Sequence, residues 1–557
     1  MAHSLFHLNQ LNFYSFLVAD VGTLLAIVVF ALAWWRYPGV IHRFLGSKAR
    51  GMLIFGAVLV AASCVASVWF GEHEFAGYDA SPMIDAAWNL MCGHVPPKDF
   101  ICTFPPICYL PAVLAFHAMG IHWSSLLYAT CIACVLACIG GVRALWMVQG
   151  TVGAMRWNAA LVTYLAMQCV LLLTVNIPWH APLTAAVNSY LALVTLVLIS
   201  AERLSRAQRI ELWCGYSLAS ALLILGKPNT AYPAILLSCV CLLGASRSWK
   251  PLLAPLAGVA LSALFLLPFH MTLGMMVRGY LGLSGRVVPS WNVVFVWVVG
   301  SGHRTWGVSV LTCYVVAAFA VVALILVAGK EFRTYGFTWP LLFVAGMAVI
   351  AAYGLSTNQD SKYTDIAPLM CAAIVAAMWL RVETAMLSRQ FLLTATLMVT
   401  ATGLLSAVRW RMLICGPWAG PRYGNQVELH DRFFDHLTGR DALAAMLSEV
   451  DRAVEQHPGA SIMFGGRMEF LYARNQVLPP LHMPIWFDPG SSYPVGSEAA
   501  VMQALKDDHP SMILMNKDDG SGKPDMARVP EEMMAYIDKT YRREPGYKSL
   551  VVYVLPR

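Results

Sequence analysis

The sequence predicts a polytopic α-helical membrane protein of about twelve spans, followed by a small α/β domain outside the membrane. Three observations predict it. Apolar residues make up 58% of the 557-residue chain and charged residues only 12%, about half the charged share of an ordinary soluble protein; mean hydropathy is +0.61. The apolar residues fall in blocks of about twenty, the length that crosses a bilayer as a helix. From about Gly420 the pattern stops, and mixed charge with short periodic segments takes over. This excludes a soluble enzyme, a disordered chain, a fibrous repeat and a disulfide scaffold. The net charge of +7 is then a matter of orientation and not of nucleic acid.

Taken in order, spans are expected at about 13–35, 51–70, 124–147, 158–175, 183–200, 212–226, 233–244, 251–269, 308–328, 337–355, 367–380 and 391–408. The stretch at 233–244 is short, so its ends should extend into its flanks. The first span reads as an uncleaved anchor, since no Lys or Arg precedes it and no small-residue cleavage site follows. One alternate set of connections carries fifteen bases, from Arg36 and Arg43 through Arg143, Arg203, Arg247 and Lys330 to Arg389. The other set carries six: Lys98, Lys227, Arg278, Arg286, Arg304 and Lys362. By the positive-inside rule the first set is cytoplasmic. The amino terminus, the 71–122 loop and everything after Trp410 are therefore expected outside the cytoplasm. Phe104–Gly120 is apolar as well, but a crossing there would invert every later loop. It reads as an interfacial or half-inserted helix begun by Pro105-Pro106 and ended near Gly120.

The chain divides into a membrane domain, 1–410, and a soluble domain, 411–557. In the latter Asp431–Gln456 has helical periodicity. Ser461–Phe464, Ser511–Met515 and Ser549–Leu555 read as short buried strands, with amphipathic helices at 497–507 and 530–541 between them. Most of the fourteen cysteines lie in spans and act as small hydrophobes. Cys92 and Cys102 lie outside, where an oxidising compartment leaves a disulfide open.

The first large outer loop concentrates acid. Glu72, Glu74, Asp79, Asp85 and Asp99 are five of the twelve acids that precede the tail, and they share the loop with the single base Lys98. Such clustering at a membrane face is costly without a task. Ser81-Pro82 reads as N-cap and first helical residue of a helix from about 82 to 92 that stops at Gly93. Asp85 would then sit in its first turn, where the dipole favours a carboxylate. Asp79 precedes the cap, on the approach Gly77-Tyr78-Asp79, where a loop carboxylate can reach a ligand.

The loop has the form GYDxxxxxDAAxxLxxGxxPxxDFxxxxPPxxY. It resembles the early outer loop of the GT-C class of integral-membrane glycosyltransferases, which use polyprenyl-phosphate-linked sugars and include the protein mannosyltransferases and the lipid A aminoarabinose transferase. The resemblance covers the loop, the roughly twelve-span layout and the extracytoplasmic carboxy-terminal domain. It implies that Asp79 is the general base, and it matches Gly93 and Asp99-Phe100 to the G…DF element and Pro105-Pro106 with Tyr109 to the PP-containing helix. Thr103-Phe104 stands where many lipid-modifying members carry an acid–Lys pair. Ala80 stands where the protein mannosyltransferases pair Asp with Glu.

The chemistry suits the residues on its own terms. A sugar leaving a polyprenyl phosphate needs no proton donor, because phosphate is a good leaving group. The site needs one base for the acceptor hydroxyl and cations for the phosphate. Catalytic candidates are Asp79 and Asp85; phosphate candidates are Lys227, Lys362, Arg304 and Arg286; Glu74, Tyr78, Tyr109, His303 and Tyr363 are candidates for sugar or acceptor contact. The connection 270–307 mixes bases with Trp291, Trp297 and Trp306 and suits a lid. No cofactor is implied and no metal-ligand spacing appears. Some members of the class need a divalent cation, so one at Asp79 and Asp85 stays open. Expected partners are a polyprenyl-phosphate sugar, a glycolipid, polysaccharide or protein acceptor, and membrane lipid. The competing reading is a non-enzymatic transporter or flippase. It calls for ionisable groups near mid-bilayer and inverted repeats, whereas these spans are almost free of charge.

Overall fold

The computed structural model describes residues 36, 43, 46–73, 75, 77–200, 204–281, 338–357, 366–379, 426–435, 437–465, 467–487, 492–494, 496–517 and 529–556. Six helices among them are long and apolar enough to cross a membrane: Ala49–Gly71, Trp123–Trp146, Ala154–Thr174, His180–Ser200, Pro228–Ser246 and Lys250–Phe269. Pro228–Ser246 extends on both sides of the short apolar stretch, as expected, because Pro at the first helical position supplies a start upstream of it. Helices Arg206–Ile224, Trp339–Thr357 and Ile366–Met378 complete the described bundle. The expected spans at 13–35, 308–328 and 391–408 lie outside the described residues.

Ala154–Thr174 is the central helix, buried on every side from Trp157 to Leu173. It has no wet face to offer, and even its polar Asn158, Thr163 and Gln168 are buried. Its Trp157 Nε1 donates to the Leu145 carbonyl at 2.7 Å and its Tyr164 hydroxyl to the Ala137 carbonyl at 2.8 Å. Tyr164 packs against Gly141, where an added Cβ would come within 2.0 Å of the ring. Small residues of this kind let membrane helices approach closely. Gly141→Ala should therefore cost about 1–3 kcal/mol by overpacking. A lower apparent Tm in detergent would show it, and an unchanged Tm would mean that the ring yields.

The bundle has two distinct ends. At one, Arg143 forms a bidentate pair with Glu211, at 2.7 and 2.9 Å. At the other, the 71–122 loop and the carboxy-terminal region pack together. Helix Pro106–Met119 starts after Pro105 and ends at Gly120, whose φ of 93° only glycine adopts easily. Nine of its fourteen residues are buried, so it is wedged within the protein rather than laid along its surface.

The carboxy-terminal region is a small α/β unit. Strands β1 (Gln426–Glu428) and β2 (Thr438–Arg440) pair antiparallel. Strands β3 (Ile462–Phe464), β4 (Met512–Asn516), β5 (Arg542–Glu544) and β6 (Leu550–Val554) form a sheet of order β3-β4-β6-β5, parallel only between β3 and β4. Alternation gives the sheet two apolar faces. Met463, Ile513, Met515, Val551 and Tyr553 pack with Val501, Leu505 and Ile537. Ile462, Phe464, Met512, Leu514 and Val552 belong to a second core shared with the 71–122 loop.

Two expectations change here. The helix predicted from Asp431 begins only at Asp441, because Asp431 Oδ1 accepts the amides of Phe433 and Phe434 at 2.8 and 2.7 Å and turns the chain instead. The edge strand β5 was not expected; its charged sequence Arg542-Arg543-Glu544 carries no apolar alternation.

Candidate functional site

The 71–122 loop is built around a helix, Gly77–Met91. It starts about five residues before the Ser81-Pro82 signal, and Pro82 lies inside it. Asp79 is thus its third residue rather than part of a loop, and Asp85 its ninth, beyond the first turn and outside the main reach of the helix dipole. Ser81 has a different use from capping. Its hydroxyl donates to Glu469 Oε2 at 2.6 Å and accepts from the amide of Phe470 at 3.0 Å, both in the carboxy-terminal region.

Positions 80–87 are all buried. Ahead of the helix, Phe75 packs edge-on against Trp123, Phe434 and Phe470, with ring centroids 4.7–5.0 Å apart. Along it, Trp88 Nε1 donates to the Val477 carbonyl at 2.8 Å. Beyond it, Ile101 forms an isolated strand-like bridge with Pro484, its amide donating to Met483 O and its carbonyl accepting from Ile485 N. Asp99 of the DF element is structural: its Oδ2 accepts from Val95 N at 2.9 Å. Cys92 and Cys102 are free thiols, and burial pushes them up to about 11 and about 12.

Two carboxyl groups are sealed between the loop helix and the sheet. Asp85 is 4% exposed and Glu469 2%. They line one small cavity with Asn89, Tyr472 and Phe487. Burial first, and the neighbouring Glu469 second, hold the Asp85 carboxyl well above the usual carboxylate range, although Asn89 Nδ2 donates to its Oδ1 at 3.0 Å. Burial pushes Glu469 up to about 7, against the pull of the Ser81 hydroxyl and the Arg467 guanidinium. The Arg467 amide donates to Glu469 Oε1 at 2.9 Å, and its guanidinium lies 4.8 Å from the Trp486 ring centre.

The raised value makes stability fall with rising pH. Between about 4.5 and about 7 the folded protein holds a Glu469 proton that the unfolded chain has released. The Glu469 contribution is therefore lost across that window and flat above it. Glu469→Gln should remove this part of the pH dependence. The check is apparent Tm of both proteins at pH 5 and pH 7.5, and parallel curves would contradict the assignment.

Lys227 stands at the other side of the same end. It is the N-cap residue of Pro228–Ser246, and its amide donates to Thr184 Oγ1 at 3.0 Å. The residue is 8% exposed and lines a cavity with Asn188, Thr230, Met347, Ile350 and Pro368. Asn188 is buried, and its Oδ1 has no hydrogen-bond partner among the described residues. The Ile107 amide donates to the Leu225 carbonyl at 2.9 Å, which ties the start of the PP-containing helix to the turn leading into Lys227. Phe104 packs on Trp179, Trp486 and His180 nearby.

The structure thus brings the helix of Asp79 and Asp85, the turn of Lys227 and the carboxy-terminal region to one end of the bundle. Tyr109 is buried in the Pro106–Met119 helix with its hydroxyl 3.9 Å from Met271 Sδ. Glu74, Arg286, His303, Arg304, Lys362 and Tyr363 lie outside the described residues, as do the side chains of Tyr78 and Asp79; the 270–307 connection is described only as far as Leu281. Among the described residues no three His, Cys, Asp or Glu side chains gather as a metal-ligand set. Six residues of continuous helix separate Asp79 from Asp85 by about 240° around its axis. The sequence did not point to Glu469, Ser81 as a tertiary contact, or Asn188. Only Asn188, a polar residue inside a span, carried a signal.

No protein-family model and no curated protein matches the chain. Among solved structures it is similar to ArnT from Cupriavidus metallidurans in the apo state, with 12% identity and a TM-score of 0.51 over 91% of this chain and 98% of that one. The same protein bound to undecaprenyl phosphate aligns over the same shares at 11% identity and a TM-score of 0.49. The archaeal oligosaccharyltransferase AglB from Archaeoglobus fulgidus, in complex with an inhibitory peptide and a dolichol-phosphate, aligns at 11% identity and a TM-score of 0.38 over 90% of this chain and 74% of that one. At the first of these likenesses a fold is shared: the GT-C-like membrane architecture with a small α/β carboxy-terminal region.

Proposed function

We propose that the chain is an inverting glycosyltransferase that moves a sugar from a polyprenyl-phosphate-linked donor to a cell-envelope acceptor, whether glycolipid, polysaccharide or protein. The reaction would run at the periplasmic face of a bacterial inner membrane. Residues 411–557 would lie on that side, against the membrane domain 1–410. The observation that carries the reading is that the Pro106–Met119 helix packs on the Asp79 helix and is tied by Ile107 to the turn leading into Lys227, at the end of the bundle opposite the Arg143–Glu211 pair. One end thus combines a carboxylate-bearing helix with a buried lysine, the two requirements of the transfer.

In this reading Asp79 takes the proton of the acceptor hydroxyl as the oxygen attacks the anomeric carbon and the phosphate leaves. Lys227 meets the charge that grows on the departing phosphate. In a largely buried cavity its ammonium acts at a lower effective dielectric than in water. Lys362, Arg304 and Arg286 are the further phosphate candidates, and Glu74, Tyr78, His303 and Tyr363 the candidates for sugar and acceptor. Asp85 is not the base here, since it is closed off by the carboxy-terminal region, where burial favours its neutral form. Tyr109 supports the PP-containing helix from within.

The reading is tested by mass spectrometry of envelope glycolipids, polysaccharide and glycoprotein from cells with and without the protein. One sugar modification should disappear with the gene and return with it. An unchanged envelope across all three fractions would refute it.

A further inference from the structure

We propose that Ser81 and Glu469 form a clamp through which the carboxy-terminal region positions the helical turn that carries Asp79, so that both are positioning residues for the transfer. The inference rests on the reading of Asp79 as the base. Ser81 follows Asp79 by two residues in the same helix. That turn is intrinsically weak. It opens on Gly77, and Pro82 has no amide to return to the Tyr78 carbonyl. An anchor from outside the helix must therefore fix it, and the Ser81 hydroxyl provides one through both of its hydrogen-bonding functions, to Glu469 Oε2 and from Phe470 N.

The receiving side is itself fixed. Glu469 Oε1 is held by the Arg467 amide at 2.9 Å, and Arg467, at a left-handed φ of 69°, sets its guanidinium on Trp486. The ionisable groups that act on this contact are Asp85 from the loop helix and Arg467 and Tyr472 from the carboxy-terminal region. A buried carboxyl group is a poor choice for stability, because an apolar contact of the same volume is as good or better. What it adds is direction: a short hydrogen bond tolerates little displacement of the turn, and a displacement of about 1 Å at a reacting group costs on the order of 100-fold in rate.

The test uses the full chain in host membrane vesicles, whose own lipid pool supplies donor, with product followed by mass spectrometry and affinity measured with undecaprenyl phosphate in detergent. Ser81→Ala should lower the transfer rate about 10–100-fold while the Kd for undecaprenyl phosphate stays within about twofold. Ser81→Thr, which keeps the hydroxyl, should restore the rate to within about threefold of wild type. If Ser81→Ala does not accumulate folded, Glu469→Gln decides in its place. The amide retains only one of the two acceptor oxygens, so a loss of at least about fivefold at unchanged Kd is expected. A wild-type rate in the deciding variant overturns the clamp, as does a Thr variant no better than Ala, or a Kd that moves in step with the rate. An inactive Asp79→Asn beside a fully active Ser81→Ala would remove the clamp alone, whereas an active Asp79→Asn would remove the reading beneath it.

Discussion

Asp79→Asn should lower sugar transfer by about 10²–10⁴-fold, the usual contribution of a positioned general base. The amide has nearly the same shape as the carboxylate and can still hydrogen-bond an acceptor hydroxyl, but it cannot take the proton. Asp79 is the third residue of a helix whose positions 80–87 are buried. The buried positions 80–87 are unchanged in the variant, so yield and Tm should stay near wild type. Donor affinity should also stay, since the phosphate contacts are assigned elsewhere. Product formation by the purified variant, measured beside its affinity for undecaprenyl phosphate, is the check. Full activity would move the base to another residue.

Lys227→Met should reduce transfer by about 10²–10³-fold, the range seen when one preorganised donor to a developing anion is removed. Its effect should appear in the affinity for undecaprenyl phosphate as well as in the rate, which distinguishes it from Asp79→Asn. Met is unbranched and close in length to the lysine stem, and the cavity around position 227 is lined by Met347, Ile350 and Pro368. A buried ammonium is expensive to keep. If it serves only the fold, replacing it should lower Tm. If it serves the transfer, activity and affinity for undecaprenyl phosphate should fall together. Equal Tm with undiminished affinity would place the phosphate elsewhere.

How far the sequence could be read follows from where each instruction is kept. The spans were legible because hydrophobicity over about twenty residues is a local property. Thus Trp123–Trp146 and Ala154–Thr174 fall within a few residues of the apolar stretches that announced them. The strands β3, β4 and β6 were legible for a similar reason, as short apolar runs in a polar setting. The start of the loop helix was not. Ser81-Pro82 is a sound local start signal, overruled by a hydroxyl contact to a residue 388 positions away. Asp85 was assigned to a first turn for the same reason, and nothing near it in the chain announces Glu469. The turn at Asp431 likewise depends on tertiary support, since Arg474 bridges that carboxylate to Asp451 at 3.0 and 2.6 Å. At the site, residue types and their clustering on one loop were readable, but burial was not. Asp85 and Tyr109 are both buried, which their residue types did not announce.

The carboxy-terminal sheet has one face that closes on its own helices and one that continues into the core around Ile84, Phe100 and Trp123. This has a bearing on attempts to redirect the protein by grafting. A carboxy-terminal region exchanged on its own would meet a foreign apolar surface, and the graft would have to carry residues 72–122 with it. The two segments, some three hundred residues apart in the chain, form one heritable unit. A chimera that exchanges only one of them should be recovered mainly as aggregate on detergent extraction.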